Sequence, residues 1–210
     1  EVECSVGSVY VDEFRRGYFP ESCPPSSHII MTFPGMAGKP NVKFHWMDGG
    51  IQPERPEELG PNEVMGDGGN GVIMIGTKGK MMCGTYSLNP QLLPTTKTQE
   101  VSVPQTIKRI PGGMQTGHYF QWVEACMAGY GKTELSSSFD IAGPLTESVL
   151  MGNLAIRSYD VRTPRPDRPG QYDYPGRYIK LLWDGPNMRI TNFDDANQFV
   201  KREYQNGYKL

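Results

Sequence analysis

The chain has 210 residues, of which 37% are hydrophobic and 21% are charged, with a formal net charge of -2. This composition excludes a disordered chain. The balance of charges gives no electrostatic case for a nucleic acid or an anionic membrane as partner, because such binding needs a dense cationic surface. Gly and Pro together make up about a fifth of the residues, which is typical of short strands joined by turns.

The first half of the chain is predicted to be rich in strands. Three segments have the alternation or β-branched and aromatic content of strands: residues 2–11, 28–33 and 41–47. The following stretch, 48–70, consists almost entirely of turn-forming and polar residues. Residues 72–75 and 80–83 flank Gly76-Thr77-Lys78-Gly79 and predict a β-hairpin, whose continuous apolar runs indicate a sheet covered on both faces.

The second half of the chain is predicted to contain helices. One begins at Gln115 or Thr116 and stops before Gly129, and another spans 143–157 with Pro144 in its first turn. Residues 159–178 hold several prolines among charges and are predicted to form an exposed loop or arm.

The C-terminal part of the chain is predicted to form a last hairpin and a last helix. The hairpin consists of 178–183 and 188–191, and the helix runs from Asn192 or Asp194 to Tyr204. Strands precede helices without regular alternation, so we expect an α+β fold with an open, mainly antiparallel β-sheet and helices packed on one face.

The residue types show no catalytic centre, metal site or cofactor site by themselves. The glycine-rich stretch 66–71 precedes a strand instead of opening a helix, so it is predicted to be a turn and not a dinucleotide site. His28, His45 and His118 lack metal-ligand spacing, and no nucleophile elbow is present. The four cysteines form no C-x-x-C pair and are predicted to be small buried hydrophobic residues.

Segments spread over nearly the whole chain carry a family resemblance. Their order and wording resemble the C-terminal domain of the bacterial glucose–fructose oxidoreductase, inositol dehydrogenase and MocA (Gfo/Idh/MocA) family. The segments are FHWMDGGIQPERPEEL at 44–59, NGVIMIGTKGKMMCGTYSLNPQLLP at 70–94, AGPLTESVLMGNLAIRS at 142–158 and KLLWDGPNMRITNFDDANQFVKREYQNGY at 180–208.

The resemblance implies a two-domain oxidoreductase in which an N-terminal Rossmann domain holds NAD or NADP. The α+β domain then completes the sugar or polyol site and pairs subunits through its sheet. The family's E-K-P motif does not occur here, and the His-bearing catalytic helix would precede Glu1. We therefore expect residues 1–210 to be the substrate and assembly domain, separated from its Rossmann domain and without catalytic, cofactor-binding or metal-binding residues.

The expected substrate contacts lie in a loop and in aromatic segments. Tyr86 and Asn89 follow the predicted hairpin and offer the donors and acceptors that sugar hydroxyls need. Tyr18, His45 and Trp46 are further candidates, Trp46 because aromatic faces pack against sugar CH surfaces. Tyr86 and Asn89 are interpreted equally well as residues that only tie their loop to the fold.

Two other functions stay open on the sequence. One is a non-catalytic binding or oligomerisation module, and the other is part of an NAD-dependent glycoside hydrolase of the same superfamily. Whether the chain is part of an oxidoreductase or part of a glycoside hydrolase, we expect it to bind no NAD(P) and to be inactive on its own. We also expect a homo-oligomer formed through an exposed apolar sheet face. The sequence does not distinguish a cytoplasmic location from an exported, periplasmic one.

Overall fold

The computed structural model describes residues 1–202 and 204–208. The strands are β1 (Val2–Val6), β2 (Tyr10–Asp12), β3 (Arg15–Arg16), β4 (Ser27–Phe33), β5 (Val42–Met47), β6 (Val72–Gly76), β7 (Gly79–Cys83), β8 (Gln91–Leu93), β9 (Thr163–Pro164), β10 (Tyr172–Asp173), β11 (Trp183–Asp184) and β12 (Arg189–Ile190). The α-helices are α1 (His118–Ala128) and α2 (Phe139–Tyr159). Shorter 3₁₀ or π turns occupy Thr85–Ser87, Thr95–Glu100, Gly113–Gly117, Asp194–Phe199 and Gln205–Gly207.

The chain divides into two compact units. Unit 1 consists of Glu1–Gln52 and Ser136–Leu210, and unit 2 is the inserted segment Pro53–Leu135. The strand pairs in the described part of the chain are all antiparallel. The predicted α+β class is therefore confirmed, although the strands form several small sheets in place of one open sheet. The assignment of 1–210 to a single C-terminal domain stays a prediction.

Unit 1 is built on the sheet β1-β4-β5, with β4 in the middle. Alternate residues of β4 are buried, and α2 packs over this side of the sheet. The core joins strand and helix side chains to the C-terminal segment: Val2, Ile29, Met31, Met151, Leu154, Ala155, Leu181, Ile190 and Ala196. Val2 and Leu181 also exchange backbone hydrogen bonds of 3.0 and 2.8 Å, which add the C-terminal segment to the edge of β1.

The first predicted strand is interrupted at Gly7. A Cβ at Gly7 would lie 2.4 Å from the Ser26 Oγ, and the Gly7 amide donates to the Ser26 carbonyl at 2.8 Å. The close approach ends β1, and the chain resumes as β2 only at Tyr10. Residues 2–11 are thus two strands where the alternation predicts one.

The predicted helix 143–157 is confirmed, but α2 begins four residues earlier and ends two residues later. The Ser138 carbonyl accepts hydrogen bonds from Ile141 and Ala142, and Asp140 lies in the first turn, where a carboxylate favours the positive end of the helix dipole. Pro144 therefore lies beyond the first turn of the helix.

The C-terminal hairpin is confirmed in shortened form as β11 and β12. The predicted final helix is a 3₁₀ segment over Asp194–Phe199. The Asn197 side chain hydrogen-bonds both the amide and the carbonyl of Ile190, at 2.7 and 3.0 Å, and so ties this segment to β12. The predicted helix included residue 203, which lies outside the described residues.

Unit 2 contains the sheet β6-β7-β8 and helix α1. The predicted hairpin is confirmed, with Gly76 paired directly to Gly79, so that the turn consists of Thr77 and Lys78. The expectation that both faces of this hairpin are covered is wrong, because Ile75 is 77% exposed and Met74 is 50% exposed. The buried cluster of this unit consists of Leu59, Met82 and Leu93.

The predicted helix at 115–128 is confirmed as the turn Gly113–Gly117 followed by α1. Gly129 ends α1 with a φ of 93°, a value that favours glycine, and its amide donates to the Ala125 carbonyl. None of the described side chains of α1 is buried. The apolar positions of α1 are therefore largely exposed in this chain.

Candidate functional site

A cavity of about 690 Å³ lies in unit 1. It lies between the segment 6–25 and the end of α2, with residues from 160–162, 177 and 198–199 completing its wall. This volume is in the range of roughly 300–1,000 Å³ that is usual for small-molecule sites. We name it the arginine cavity, because its lining includes Arg16, Arg157, Arg162 and Arg177.

Tyr18 is the predicted site residue that lines this cavity. The Arg162 guanidinium carbon lies 3.5 Å from the centroid of the Tyr18 ring and 4.1 Å from that of Tyr172. Both rings offer their negatively polarised faces to the cation. This contact fixes the position of Tyr18 and holds the guanidinium at the cavity wall.

Arg177 supports another part of the same wall. It donates to the Asp160 carboxylate at 3.1 Å and to the Tyr159 carbonyl at 3.2 Å. Its guanidinium also stacks on the Tyr174 ring, 3.6 Å from the centroid. Arg177 therefore ties the end of α2 to the segment at 174–177, and its charge is already paired.

Tyr159 brings a buried hydroxyl to the cavity. The residue is 3% exposed, and Tyr178 and Arg16 lie beside its hydroxyl. Burial, together with the hydrogen bond to Tyr178, raises the pKa of Tyr159. The phenol therefore stays neutral at physiological pH and acts as a hydrogen-bonding group.

A second cavity of about 380 Å³ lies along α2 in the same unit. The Trp183 indole NH donates to the Glu147 carboxylate at 2.6 Å, and both residues line the cavity together with Asn153. An aromatic face beside a carboxylate and an amide suits a hydroxylated ligand. Sequence reasoning did not select these residues, although Glu147 and Asn153 are polar positions within the apolar pattern of α2.

His45 and Trp46 are adjacent strand residues and therefore point to opposite faces of the sheet. Trp46 pairs with Ile29, whose side chain lies on the side covered by α2, whereas His45 pairs with Ile30 on the other side. The two predicted residues thus do not form one site.

On the sheet face away from α2, His45 meets His28. The His28 Nε2 and His45 Nδ1 lie 3.0 Å apart, and the rings have a centroid separation of 5.3 Å. Burial, and then the charge of His45, lower the pKa of His28. The pair therefore favours a state in which His28 is neutral.

The Trp46 side chain is held by Asp48. The indole NH donates to the Asp48 carboxylate at 2.9 Å, and Ser27 donates to the same carboxylate from its amide at 2.6 Å and its hydroxyl at 2.8 Å. Burial acts to raise the pKa of Asp48, but these hydrogen bonds outweigh it and hold the pKa below its usual range. Trp46 thus has a structural contact, and the residue is 52% exposed.

Tyr86 and Asn89 lie in unit 2 in the turn between β7 and β8. Both have positive φ values, 57° for Tyr86 and 49° for Asn89, and Tyr86 is 81% exposed. Among the described residues, neither side chain makes a hydrogen bond within the protein. The structure thus gives no support to the interpretation that these two side chains tie the loop to the fold. Their role in substrate binding stays a prediction.

The turn between β7 and β8 is held instead by Asp67. Its carboxylate accepts from the Thr85 hydroxyl and, at 3.0 Å, from the Thr85 amide, and it also accepts from the amides of Gly69 and Asn70. These bonds, with that of the Thr85 side chain the largest, hold the pKa of Asp67 well below its usual range. Asp67 belongs to the glycine-rich stretch 66–71, which leads into β6 and is a turn, as predicted.

The cysteine prediction holds for part of the set. Cys83 is buried and Cys4 is half-buried, and burial raises the pKa of the Cys4 thiol to about 12. For Cys23 and Cys126 the prediction is wrong, because both are exposed. Few apolar side chains cover the segments that contain them. The residues around each cysteine in the sequence do not indicate this.

The described residues contain no group of three or more potential metal ligands. None of the helices in this part of the chain has the length and apolar content required to cross a bilayer. No protein-family model matches the chain, and no curated protein is significantly similar to it. The Gfo/Idh/MocA resemblance therefore stays a prediction.

Proposed function

We propose that the chain is the substrate-binding and assembly half of an NAD(P)-dependent oxidoreductase that acts on a sugar or polyol hydroxyl. The observation that carries the proposal is the series of four segments that resemble the Gfo/Idh/MocA family, in the family's order along the chain. A short motif can recur by chance, whereas several in the same order along one chain rarely do. NAD(P), the sugar or polyol and subunit assembly follow from this resemblance.

The packing of unit 1 supports the proposal. Two of the resembling segments, 142–158 and 180–208, contribute most of the core that backs the sheet, including Met151, Leu154, Leu181 and Ile190. The resemblance therefore falls on residues that determine the fold of unit 1. A shared pattern at core positions is the kind of likeness expected of a shared fold.

The arginine cavity and the second cavity along α2 supply suitable chemistry for hydroxylated ligands. Tyr18 lines the larger one, and Trp183, Glu147 and Asn153 line the smaller one. Aromatic faces and fixed carboxylate or amide groups are the usual combination in sites for such ligands. In this proposal the chain's own residues bind and orient the substrate.

The glycine-rich stretch 66–71 does not fit a dinucleotide. A Rossmann site needs a glycine-rich turn that opens a helix, whose N-terminal amides face the pyrophosphate. The glycine-rich stretch 66–71 leads into β6 instead. The proposal therefore assigns NAD(P) to a Rossmann domain outside residues 1–210, and no step of the reaction is assigned to this chain.

Subunit assembly through the sheet needs a different surface chemistry from the one expected. The face of β1-β4-β5 away from α2 carries a mixture of polar and apolar side chains, namely Glu3, Ser5, His28, Ile30, Thr32, Lys43, His45 and Met47. The side chains on this face therefore do not form an extended apolar patch. A homo-oligomer formed through it would depend on polar contacts between copies.

The experiment is to read the gene upstream of the codon for Glu1, express the longer protein and measure NAD(P)H formation with a panel of sugars and polyols. The proposal predicts an upstream G-x-G-x-x-G strand–turn–helix and turnover that the 210-residue chain alone lacks. An upstream segment without this fingerprint favours the non-catalytic module. Release of a free sugar from a glycoside without net NAD(P)H favours the glycoside hydrolase.

The role of Tyr86 is tested in the longer protein with Tyr86→Phe, which removes the hydroxyl and keeps the ring. We expect a loss of sugar-dependent turnover of about tenfold, because a hydroxyl that binds substrate is a specific donor and acceptor. The matched control is Tyr130→Phe, which changes another exposed tyrosine of unit 2. Unchanged turnover in Tyr86→Phe would remove Tyr86 from the substrate site.

A further inference from the structure

The arginine cavity has an excess of positive charge. Its lining brings together the guanidinium groups of Arg16, Arg157, Arg162 and Arg177, and the carboxylates of Glu21 and Asp160. The chain as a whole has a formal net charge of -2. The concentration of cations at one concave surface of an acidic protein therefore needs a local explanation.

The carboxylates neutralise only part of this positive charge. Among the described residues, Arg177 pairs with Asp160 at 3.1 Å, whereas no ion pair involves Arg16, Arg157 or Arg162. Cations gathered around one cavity repel one another, and the repulsion is stronger where water is partly excluded. Binding of an anion would relieve this repulsion.

The unpaired guanidinium groups are positioned by neutral partners. Arg162 lies between the rings of Tyr18 and Tyr172, and Arg157 lies over the Phe199 ring at 4.7 Å from its centroid. Arg16 donates from its Nε to the Ser8 hydroxyl and also contacts the Tyr159 hydroxyl. Stacking occupies the face of a guanidinium and leaves N–H groups at its edge, which can bind phosphate or carboxylate oxygens in pairs.

We propose that the arginine cavity binds the anionic group of a small molecule, a phosphomonoester or a carboxylate. The volume of about 690 Å³ is large enough for such a group together with the body of a small metabolite. Arg162 and Arg16 would contact the anion, and the hydroxyl of Tyr159 would hold Arg16 in place. The same cavity is one of the two that suit a hydroxylated substrate in the proposed function, but anion binding is inferred from its arginines and does not depend on that function.

The test is isothermal titration calorimetry of the 210-residue chain at low ionic strength. The probes are inorganic phosphate, glucose 6-phosphate, glucuronate and glucose. We expect saturable binding of at least one of the three anions, with an affinity higher than that for glucose. Preference for glucose 6-phosphate identifies the anion as a phosphomonoester, and preference for glucuronate identifies it as a carboxylate.

Variants then assign the binding to this cavity. Arg162→Gln and Arg16→Gln should each weaken anion binding about tenfold or more, which is the usual effect of losing a charge-assisted hydrogen bond. The matched control is Arg189→Gln, an exposed arginine of β12 that does not line the cavity. Arg16 is exposed, so its variant keeps the test available if Arg162→Gln fails to fold.

Two results would overturn the proposal. One is the absence of saturable binding for all three anions to a chain that still unfolds cooperatively. The other is an equal loss of affinity in Arg16→Gln and Arg189→Gln, which would indicate a general effect of charge. Neither result bears on the oxidoreductase proposal, which is tested by NAD(P)H formation in the longer protein.

Discussion

Unit 1 and unit 2 differ most in the extent to which their apolar side chains are buried. In unit 1 the helix α2 contributes Met151, Leu154 and Ala155 to a continuous core that also includes Val2 and Leu181. In unit 2 the helix α1 buries none of its described side chains, and the buried cluster there is small. An apolar repeat therefore predicted a helix in each unit, but the helix buries its apolar residues only in unit 1.

This difference separates two kinds of information in the sequence. Local periodicity is sufficient to favour a helix, because it reflects backbone propensity and one-sided patterning. Burial depends on which other segments supply a matching surface. In unit 1 the segment at 181–196 supplies that surface, whereas the aromatic residues Tyr119, Phe120 and Trp122 of α1 stay more than half exposed.

The largest expected effect breaks the core of unit 1. Leu181→Ala should lower the free energy of unfolding by about 2–5 kcal/mol, because it removes a side chain that is 2% exposed and leaves a cavity. The control is Leu182→Ala at the next residue, which is 40% exposed and should cost less than about 1 kcal/mol. Urea denaturation measures both, and equal losses would contradict the description of this core.

A close backbone contact in unit 1 gives the next largest effect. A Cβ at Gly176 would lie 1.9 Å from the Ser158 carbonyl oxygen, so Gly176→Ala should destabilise the protein by about 1–3 kcal/mol. The control is Gly143→Ala in α2, where no heavy atom lies within 4 Å and alanine should stabilise the helix by about 0.5–1 kcal/mol. Thermal unfolding should show shifts of opposite sign, and a shift of the same sign in both would refute the packing argument.

In unit 2 the carboxylate of Asp67 holds the turn between β7 and β8 through polar contacts. Because the pKa of Asp67 is held low, its stabilising effect is fully present above about pH 4 and is lost as the pH falls further. Asp67→Asn should remove this dependence and increase amide exchange at Thr85 and Asn70 about tenfold. Hydrogen exchange measures this, with Glu134→Gln as the control, and unaltered protection would show that the turn is held by other contacts.

The smallest expected effect concerns the histidine pair of unit 1. Since the pKa of His28 is lowered in the folded protein, the unfolded chain binds more protons as the pH falls through about 6.5. Stability should therefore decrease modestly from pH 7 to pH 5, and His28→Gln should reduce that slope. The control is His118→Gln in unit 2, and an unchanged slope in His28→Gln would contradict the pairing of His28 with His45.

The sequence predicted elements whose signals are local. The alternation of β4 and β5, the hairpin at 72–83 and the apolar repeat of α2 are each set by a few neighbouring residues. The break at Gly7 could not be predicted in this way, because it results from the close approach of Ser26. The exposure of β6 could not be predicted for the same reason, because a local pattern does not indicate which faces of a strand other segments cover.

The candidate site was less predictable than the fold. His45 and Trp46 were selected as neighbours in sequence, but adjacent strand positions point to opposite faces. The arginine cavity was not found, because Arg16, Arg157, Arg162 and Arg177 lie far apart along the chain or in a segment interpreted as an exposed arm. Only packing of the end of α2 beside the segment 6–25 brings them to one cavity.

Hydride transfer in the longer protein tests the central claim most directly. The measurement is mass spectrometry of the nicotinamide product formed from sugars and polyols that are deuterated at their carbon atoms. The account predicts net reduction of NAD(P) with one deuterium transferred from a hydroxyl-bearing carbon. Absence of net reduction with every member of the panel, or reduction without deuterium transfer, would contradict it.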